Sequence, residues 1–253
     1  MNFVWIRIKI AIVVCSFAMS FASVSTADVP LPKNETYSDY ADFFENADVE
    51  DVQNLLDSGV DVNLLIVAPF DEEVARILKV LGEPYIREEN HLLYIAVNEG
   101  SSEVVSFLLK QGANPNVTEN YYGKTPLHQA ARLGKHEMVK LLIDAGANLE
   151  ARNKEDATPL CAAASRNLKT VKTLVDAGAD VNAVHDILGD GKKWKLLDCA
   201  LHLYAPLDVI DFLLDIDAPM TKGVGHGTPY FLASQSEELK NTETLKRLYQ
   251  RAQ

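Results

Sequence analysis

The 253-residue chain is predicted to be an all-α solenoid of about six helix-turn-helix repeats with hairpin loops and one helical insertion after the first repeat. Two observations carry this reading. Three segments close on nearly the same residues: Gly112-Ala113-Asn114-Pro115-Asn116, Gly146-Ala147-Asn148-Leu149-Glu150 and Gly178-Ala179-Asp180-Val181-Asn182. Their glycines lie 34 and 32 residues apart, a period that marks stacked supersecondary units. An apolar run with helical spacing precedes each glycine, as with Met138, Val139, Leu141 and Leu142 before Gly146, which gives each unit a helix with one buried face.

The clearest copy spans 123–150. Thr125 can accept a backbone N–H as an N-cap, and Pro126 takes the first helical position, where its missing donor costs nothing. Ala130 and Ala131 are small enough for neighbouring helices to approach closely. Gly134 breaks the first helix, and Gly146 supplies a left-handed residue that stops the second. With Thr125-Pro126-Leu127-His128 at its start and Leu141-Leu142-Ile143-Asp144-Ala145-Gly146-Ala147-Asn148 at its end, this unit resembles the ankyrin repeat. The resemblance implies an ankyrin-repeat solenoid over 38–253.

The remaining copies follow in order. The first, 38–63, sets Tyr40-Ala41-Asp42-Phe43-Phe44 before Val52 to Leu56 and serves as an N-terminal cap. An insertion at 64–89 follows, containing the amphipathic segment Asp71 to Leu81. The second copy, 90–116, keeps the apolar pattern without the Thr-Pro opening. The fourth, 156–182, repeats Thr158-Pro159-Leu160 with Cys161 in the place of His128, and is one residue short in the turn at Ser165-Arg166-Asn167. The interval from Gly178 to Asp217 is 39 residues, and its excess falls in the loop Ile187 to Trp194. The fifth copy, 195–221, puts Asp217 where a glycine is expected. The sixth, 227–253, ends in a polar helix that closes the apolar core against water.

The first 27 residues read as a secretory signal: Arg7 and Lys9, an apolar stretch Ile10 to Phe21, and Ser25-Thr26-Ala27 before Asp28. The competing reading is an uncleaved anchor, disfavoured by the serines and Thr26, which make the segment short and polar for a span. Residues 28–37 are a linker. The expected location is therefore periplasmic or secreted, with no stable membrane insertion after cleavage.

The formal net charge is −12, and loss of Arg7 and Lys9 makes it more negative. This argues against nucleic acid or an anionic membrane as partner and favours a basic protein partner through long-range steering; a merely soluble acidic surface is the alternative. The mature chain would retain Cys161 and Cys199. Both are read as falling on the His128 position of adjacent repeats, whose helices pack roughly 8–10 Å apart. A disulfide needs Cα atoms within about 6.8 Å, so two reduced, buried thiols are expected.

No catalytic or metal set stands out. The six histidines form neither H-E-x-x-H nor a Cys/His pattern with zinc spacing. The ankyrin resemblance implies that His128 holds the hairpin backbone by hydrogen bonds. Gly223-Val224-Gly225-His226-Gly227 lacks the preceding strand of a phosphate loop, and Asp186 with Asp190 lacks the later carboxylates of a calcium loop. The expectation is a non-enzyme without cofactors, acting as a monomer.

Binding is what the resemblance supplies. Ankyrin arrays build a concave face from hairpin tips and the exposed side of each first helix. By alignment to the clear copy, that face holds Asn98 and Glu99; Tyr121, Tyr122, Lys124, Arg132 and Leu133; Lys154, Glu155, Ala157, Ser165 and Arg166; and Trp194, Lys195, Leu203 and Tyr204. Tyr, Trp and Arg most often dominate interface energetics, which singles out Tyr121, Tyr122, Arg132, Trp194 and Tyr204. Three readings follow: a periplasmic protein-interaction module, in its sharper form an inhibitor or immunity protein occluding a basic partner; an envelope stress-protective protein or scaffold supporting a periplasmic enzyme; or a secreted effector that binds a host protein.

Overall fold

The structure is a computed structural model; it describes residues 37–67, 89–119, 121–186, 193–222, 229–236, 239 and 242–253. The signal segment, most of the linker, the amphipathic segment 71–81 and the glycine-rich 223–227 lie outside the described residues.

Among the described residues, six helix pairs follow one another: α1 (Tyr37–Asn46) with α2 (Val49–Asp57), α3 (Leu92–Glu99) with α4 (Ser102–Lys110), α5 (Pro126–Leu133) with α6 (His136–Asp144), α7 (Pro159–Ala163) with α8 (Leu168–Asp176), α9 (Leu196–His202) with α10 (Leu207–Asp215), and α11 (Pro229–Ser234) with α12 (Glu243–Ala252). Each first helix packs on the first helix of the next pair, and each second helix on the next second helix. That nearest-neighbour stacking is a solenoid.

The two helices of a pair bury residues differently because they meet different neighbours. The second helices bury one stripe at i, i+1 and i+4: Val104, Val105 and Leu108 in α4; Met138, Val139 and Leu142 in α6; Thr170, Val171 and Leu174 in α8. First helices sit deeper, and α3 buries Leu92 to Val97 without interruption. The polar last helix α12 buries Thr244, Leu248 and Ala252. Its Arg247 and Arg251 reach Asp215 at 2.7 Å and Asp217 at 2.5 Å, on and just beyond α10.

The repeat endings explain themselves as a ladder. Within each ending, the third residue's side chain accepts the fifth residue's N–H: Asp61 from Asn63, Asn114 from Asn116, Asn148 from Glu150, Asp180 from Asn182, at 2.8–3.0 Å. The fifth residue then accepts the third residue's N–H in the following copy: Asn63 from Asn114, Asn116 from Asn148, Glu150 from Asp180. The first rung spans 51 residues of sequence, so the 64–89 insertion leaves the stack unbroken. Gly59, Gly112, Gly146 and Gly178 all have φ between +84° and +100°. A Cβ on any of them would meet nothing within 4 Å, so backbone conformation, and not space, selects glycine there. Asp217 takes the same left-handed role at φ +61°.

Two features differ from the sequence reading. The base of the insertion is not helical: β1 (Leu65–Val67) pairs antiparallel with β2 (Glu89–His91), Ile66 opposite Asn90. The fifth copy is also shifted by one residue in its first helix. Lys195 is the N-cap of α9, so Asp198, not Cys199, occupies the His128 position, and Tyr204 occupies that of Gly134. The matching turn bonds agree, Tyr204 N–H to Leu201 and Ala205 N–H to Ala200 against Gly134 to Ala131 and Lys135 to Ala130. An extra residue in the turn before α10 produces the offset, so that counting back from Asp217 falls one residue late in α9.

Candidate functional site

The candidate surface grows from loop tips that side chains hold in shape. Glu119, 6% exposed, accepts the N–H groups of Tyr121, Tyr122 and Lys124 at 2.7, 2.7 and 3.1 Å. Asn153 does the same in the next repeat, accepting from Glu155 and Ala157. A carboxylate that gathers three backbone donors fixes a loop as a helix N-cap fixes a helix end. Lys154 N–H donates to the Tyr122 carbonyl at 2.7 Å and locks adjacent tips together.

On these tips the structure brings together Tyr121, Tyr122, Lys124 and Lys154. Tyr121 and Tyr122, 47% and 39% exposed, meet edge to face with centroids 4.3 Å apart. Lys124 Nζ lies 4.0 Å from the Tyr122 ring centre, within cation–π range. Desolvation pulls the Lys124 pKa below its ordinary value, opposed by Glu155 and reinforced by Arg132. Desolvation also raises that of Tyr122. Both shifts are what crowding of partly covered groups produces.

Below the tips lies a polar floor. Arg132 Nε donates to Gln129 Oε1 at 3.1 Å, Tyr94 Oη donates to the same oxygen, and Gln129 Nε2 donates to Asn98. Lys135 Nζ donates to the carbonyls of Val97 and Asn98 at 3.0 and 2.8 Å, covering the C-terminal end of α3, where a cation is favoured. Leu133 and Arg166 stand at the opposite end of the first helices from the tips, a rise of about 12 Å along an eight-residue helix. Here Asn167 Nδ2 donates to the Gly134 carbonyl at 3.0 Å. Tyr204 stands at the same end in the fifth copy, 86% exposed at φ +56°.

Trp194 corrects the expectation of an exposed anchor: it is 9% exposed. An antiparallel bridge pairs it with His185, each N–H donating to the other's carbonyl at 2.8 Å. Its ring packs edge to face on His202 and clusters with Ala157, Cys161 and Cys199. Ala157 is likewise buried. The one-residue offset in the fifth copy explains the difference, since it moves Trp194 from the Gly123 position to that of Lys124 and its side chain inward over the stack.

His128 is structural, as the resemblance implies. Its Nε2 lies 2.9 Å from the Ala157 carbonyl, which requires a proton there, and Nδ1 accepts the Thr125 N–H at 3.2 Å. The ring is 1% exposed, and burial pulls its pKa down to about 4 against the hydrogen bond to Ala157. It therefore ties its repeat to the next in the neutral form. Asp198 makes the corresponding tie in the fifth copy, accepting from Thr221 N–H and Lys195 N–H.

A shallow cavity of about 460 Å³ opens beside Ala47, Asp48, Val49, Glu50, Ser101 and Glu103. Ser101 and Asp48 there cap the N-termini of α4 and α2, which accounts for them without chemistry. Among the described residues, no helix is long and apolar enough to cross a membrane.

Sequence comparison matches the central repeats to known ones. Residues 92–185 match the family model for ankyrin repeats, in three copies. The chain is 34% identical over 113 residues to the E3 ubiquitin-protein ligase KEG of Arabidopsis thaliana, covering 44% of this chain and 7% of that protein. It is 43% identical over 77 residues to the 2-5A-dependent ribonuclease of Homo sapiens, covering 30% and 10%. It is 30% identical over 196 residues to the ankyrin repeat protein FPV115 of Fowlpox virus (strain NVSL), covering 76% and 31%. The chain thus spans less than a third of each of these relatives. Two are named as enzymes, but the shared part is a small fraction of them.

Proposed function

Because the chain belongs to the ankyrin-repeat family, whose arrays are protein–protein interaction modules, we propose that it binds a protein partner through the ridge formed by Tyr121, Tyr122, Lys124, Lys154 and Arg132. The observation that carries this is the tip cluster. Two exposed tyrosines and a stacked lysine sit on loops that Glu119 and Asn153 hold rigid. Rigid aromatic anchors lose little entropy on binding. The net charge of −12 steers a basic protein at long range, while Lys124, Arg132 and Lys154 favour carboxylates at the contact itself.

In the finer form of the proposal, residues 1–27 are a cleaved export signal and the mature array acts in the periplasm as an inhibitor or immunity protein that occludes its partner. The export reading rests on the charged, apolar and small-residue order of that segment. Mass analysis of the chain from a periplasmic extract is expected to show a start at Asp28; a full-length chain in the membrane fraction would refute cleavage, and a full-length chain in the cytoplasmic fraction would refute export.

The binding reading is tested by capturing the partner from periplasmic extract and titrating it with the wild-type chain and a Tyr122→Ala/Lys124→Ala variant. Loss of about 2 kcal/mol or more of affinity, at an unchanged circular dichroism melt, is expected of an interface anchor. Equal affinity would remove the ridge from consideration.

A further inference from the structure

The fourth and fifth repeats place two thiols and an imidazole together in the interior. A ring nitrogen of His185 and the sulfurs of Cys161 and Cys199 all lie within 4.8 Å of one another, although no spacing in the sequence announces them. Cys161 projects from α7 and Cys199 from α9, one position out of register along adjacent stacked helices. His185 lies outside both helices, where its bridge to Trp194 holds it beside the two sulfurs. The three residues are 1%, 0% and 1% exposed for Cys161, Cys199 and His185, and both cysteines are free.

The imidazole is already oriented for coordination. Its Nδ1 faces the Asp156 carbonyl at 3.1 Å, so that nitrogen carries the proton and the lone pair is on Nε2. Metal-binding histidines are fixed in this way by a carbonyl on the other nitrogen. Burial holds the His185 pKa below its ordinary value, which keeps the ring neutral. Asp198, the nearest acidic group on α9, is committed to Thr221 and Lys195 and is not part of the set.

We propose that Cys161, Cys199 and His185 form a buried binding site for a thiophilic d10 metal ion, zinc(II) or copper(I), that staples the fourth and fifth repeats and the base of the 186–195 loop together. Two thiolates and an imidazole are the donors such soft or borderline ions select. The set supplies three ligands: copper(I) is satisfied by three, whereas zinc would add a light fourth ligand to reach its tetrahedron. Coordination breaks two S–H bonds and forms two metal–sulfur bonds and one metal–nitrogen bond. The thiol protons leave to solvent, and no oxidant or reductant is required. In the metal-free chain the hydrogen bond between the thiols, and then burial, push the Cys199 pKa up, so it remains protonated until an ion displaces the proton.

The test uses the full mature chain, reduced and freed of metal with a chelator. It is titrated with zinc(II), or anaerobically with copper(I), against a chromophoric competitor. One ion per chain is expected, with two protons released. X-ray absorption should show two sulfurs and one nitrogen, plus a light ligand only in the zinc arm. Cys161→Ser, Cys199→Ser and His185→Gln should each weaken uptake by at least about 100-fold, with circular dichroism confirming that each remains folded. In the wild-type chain, which avoids any variant that fails to fold, bound metal should protect both cysteines from a maleimide during brief opening in mild urea. Uptake no greater than that of a Cys161→Ser/Cys199→Ser chain, equal maleimide labelling with and without metal, or isolation of the chain about two daltons light as a disulfide would each overturn the proposal.

Discussion

Lowering the pH should loosen the array through His128. The imidazole is held between Thr125 and the Ala157 carbonyl in its neutral form, with a folded pKa of about 4 against an ordinary value of 6.5. The folded value is depressed and the group is a base, so between these values the unfolded chain binds more protons than the native one, and stability falls as the pH falls. The contribution is fully present above pH 6.5 and lost as pH falls toward 4. At about 1.36 kcal/mol per pKa unit, the whole shift corresponds to about 3 kcal/mol, of which about 2 kcal/mol is lost between pH 7 and pH 5. The assay is urea unfolding at pH 7, 6 and 5, followed by circular dichroism, on the wild-type chain and His128→Gln. The variant should be less stable at pH 7, because the Thr125 N–H loses the buried ring acceptor Nδ1, and its midpoint should depend less on pH. The difference between the two chains isolates His128 from His185, whose pKa burial also lowers. Parallel pH profiles for the two chains would refute the reasoning.

Three further substitutions probe the frame by urea unfolding. Gly134→Ala forces a Cβ to a φ of +72° and to 2.5 Å from Asn167 Nδ2, and should destabilise by about 1–2 kcal/mol; no loss would mean that the turn relaxes freely. Tyr204→Gly removes an aromatic side chain from the left-handed position of the fifth repeat and should stabilise by up to about 1 kcal/mol, the relief exceeding glycine's added chain entropy. Destabilisation would show that the exposed ring packs against something. Asn116→Ala removes the bonds to the Gly146 carbonyl and the Asn148 N–H and should destabilise by about 1 kcal/mol; an unchanged midpoint would deny the ladder its role.

The stack was legible because its punctuation is local. Thr125-Pro126 and Thr158-Pro159 start helices by capping, the left-handed glycines stop them, and neither depends on distant contacts. The cross-repeat ladder from Asn63 to Asp180 was hidden, because alternation of Asn, Asp and Glu at the third and fifth places of each ending reads only as a polar loop until the copies stack. Glu119 and Asn153 were missed for a related reason: a side chain that collects backbone donors has no periodicity, although an acid or amide five or six residues before Thr-Pro is a usable signal. Trp194 was misplaced by a single extra residue in the α9–α10 turn. Trp194 lies in an extended bridge just before the N-cap Lys195, where successive side chains point to opposite faces, so an offset of one is enough to exchange groove for core. The nearness of Cys161, His185 and Cys199 was hidden as well, since it depends on the stacking of two repeats and on the bridge between His185 and Trp194.

The central claim is that the tip ridge is the binding surface, and the most direct measurement is calorimetric titration of the captured partner. It compares the wild-type chain with Tyr122→Ala/Lys124→Ala, and with Tyr249→Ala as an exposed aromatic control on α12. The ridge variant should bind at least about 30-fold more weakly, equivalent to about 2 kcal/mol, while the control binds as the wild type does. Equal affinity of all three chains, or a loss confined to Tyr249→Ala, would contradict the account.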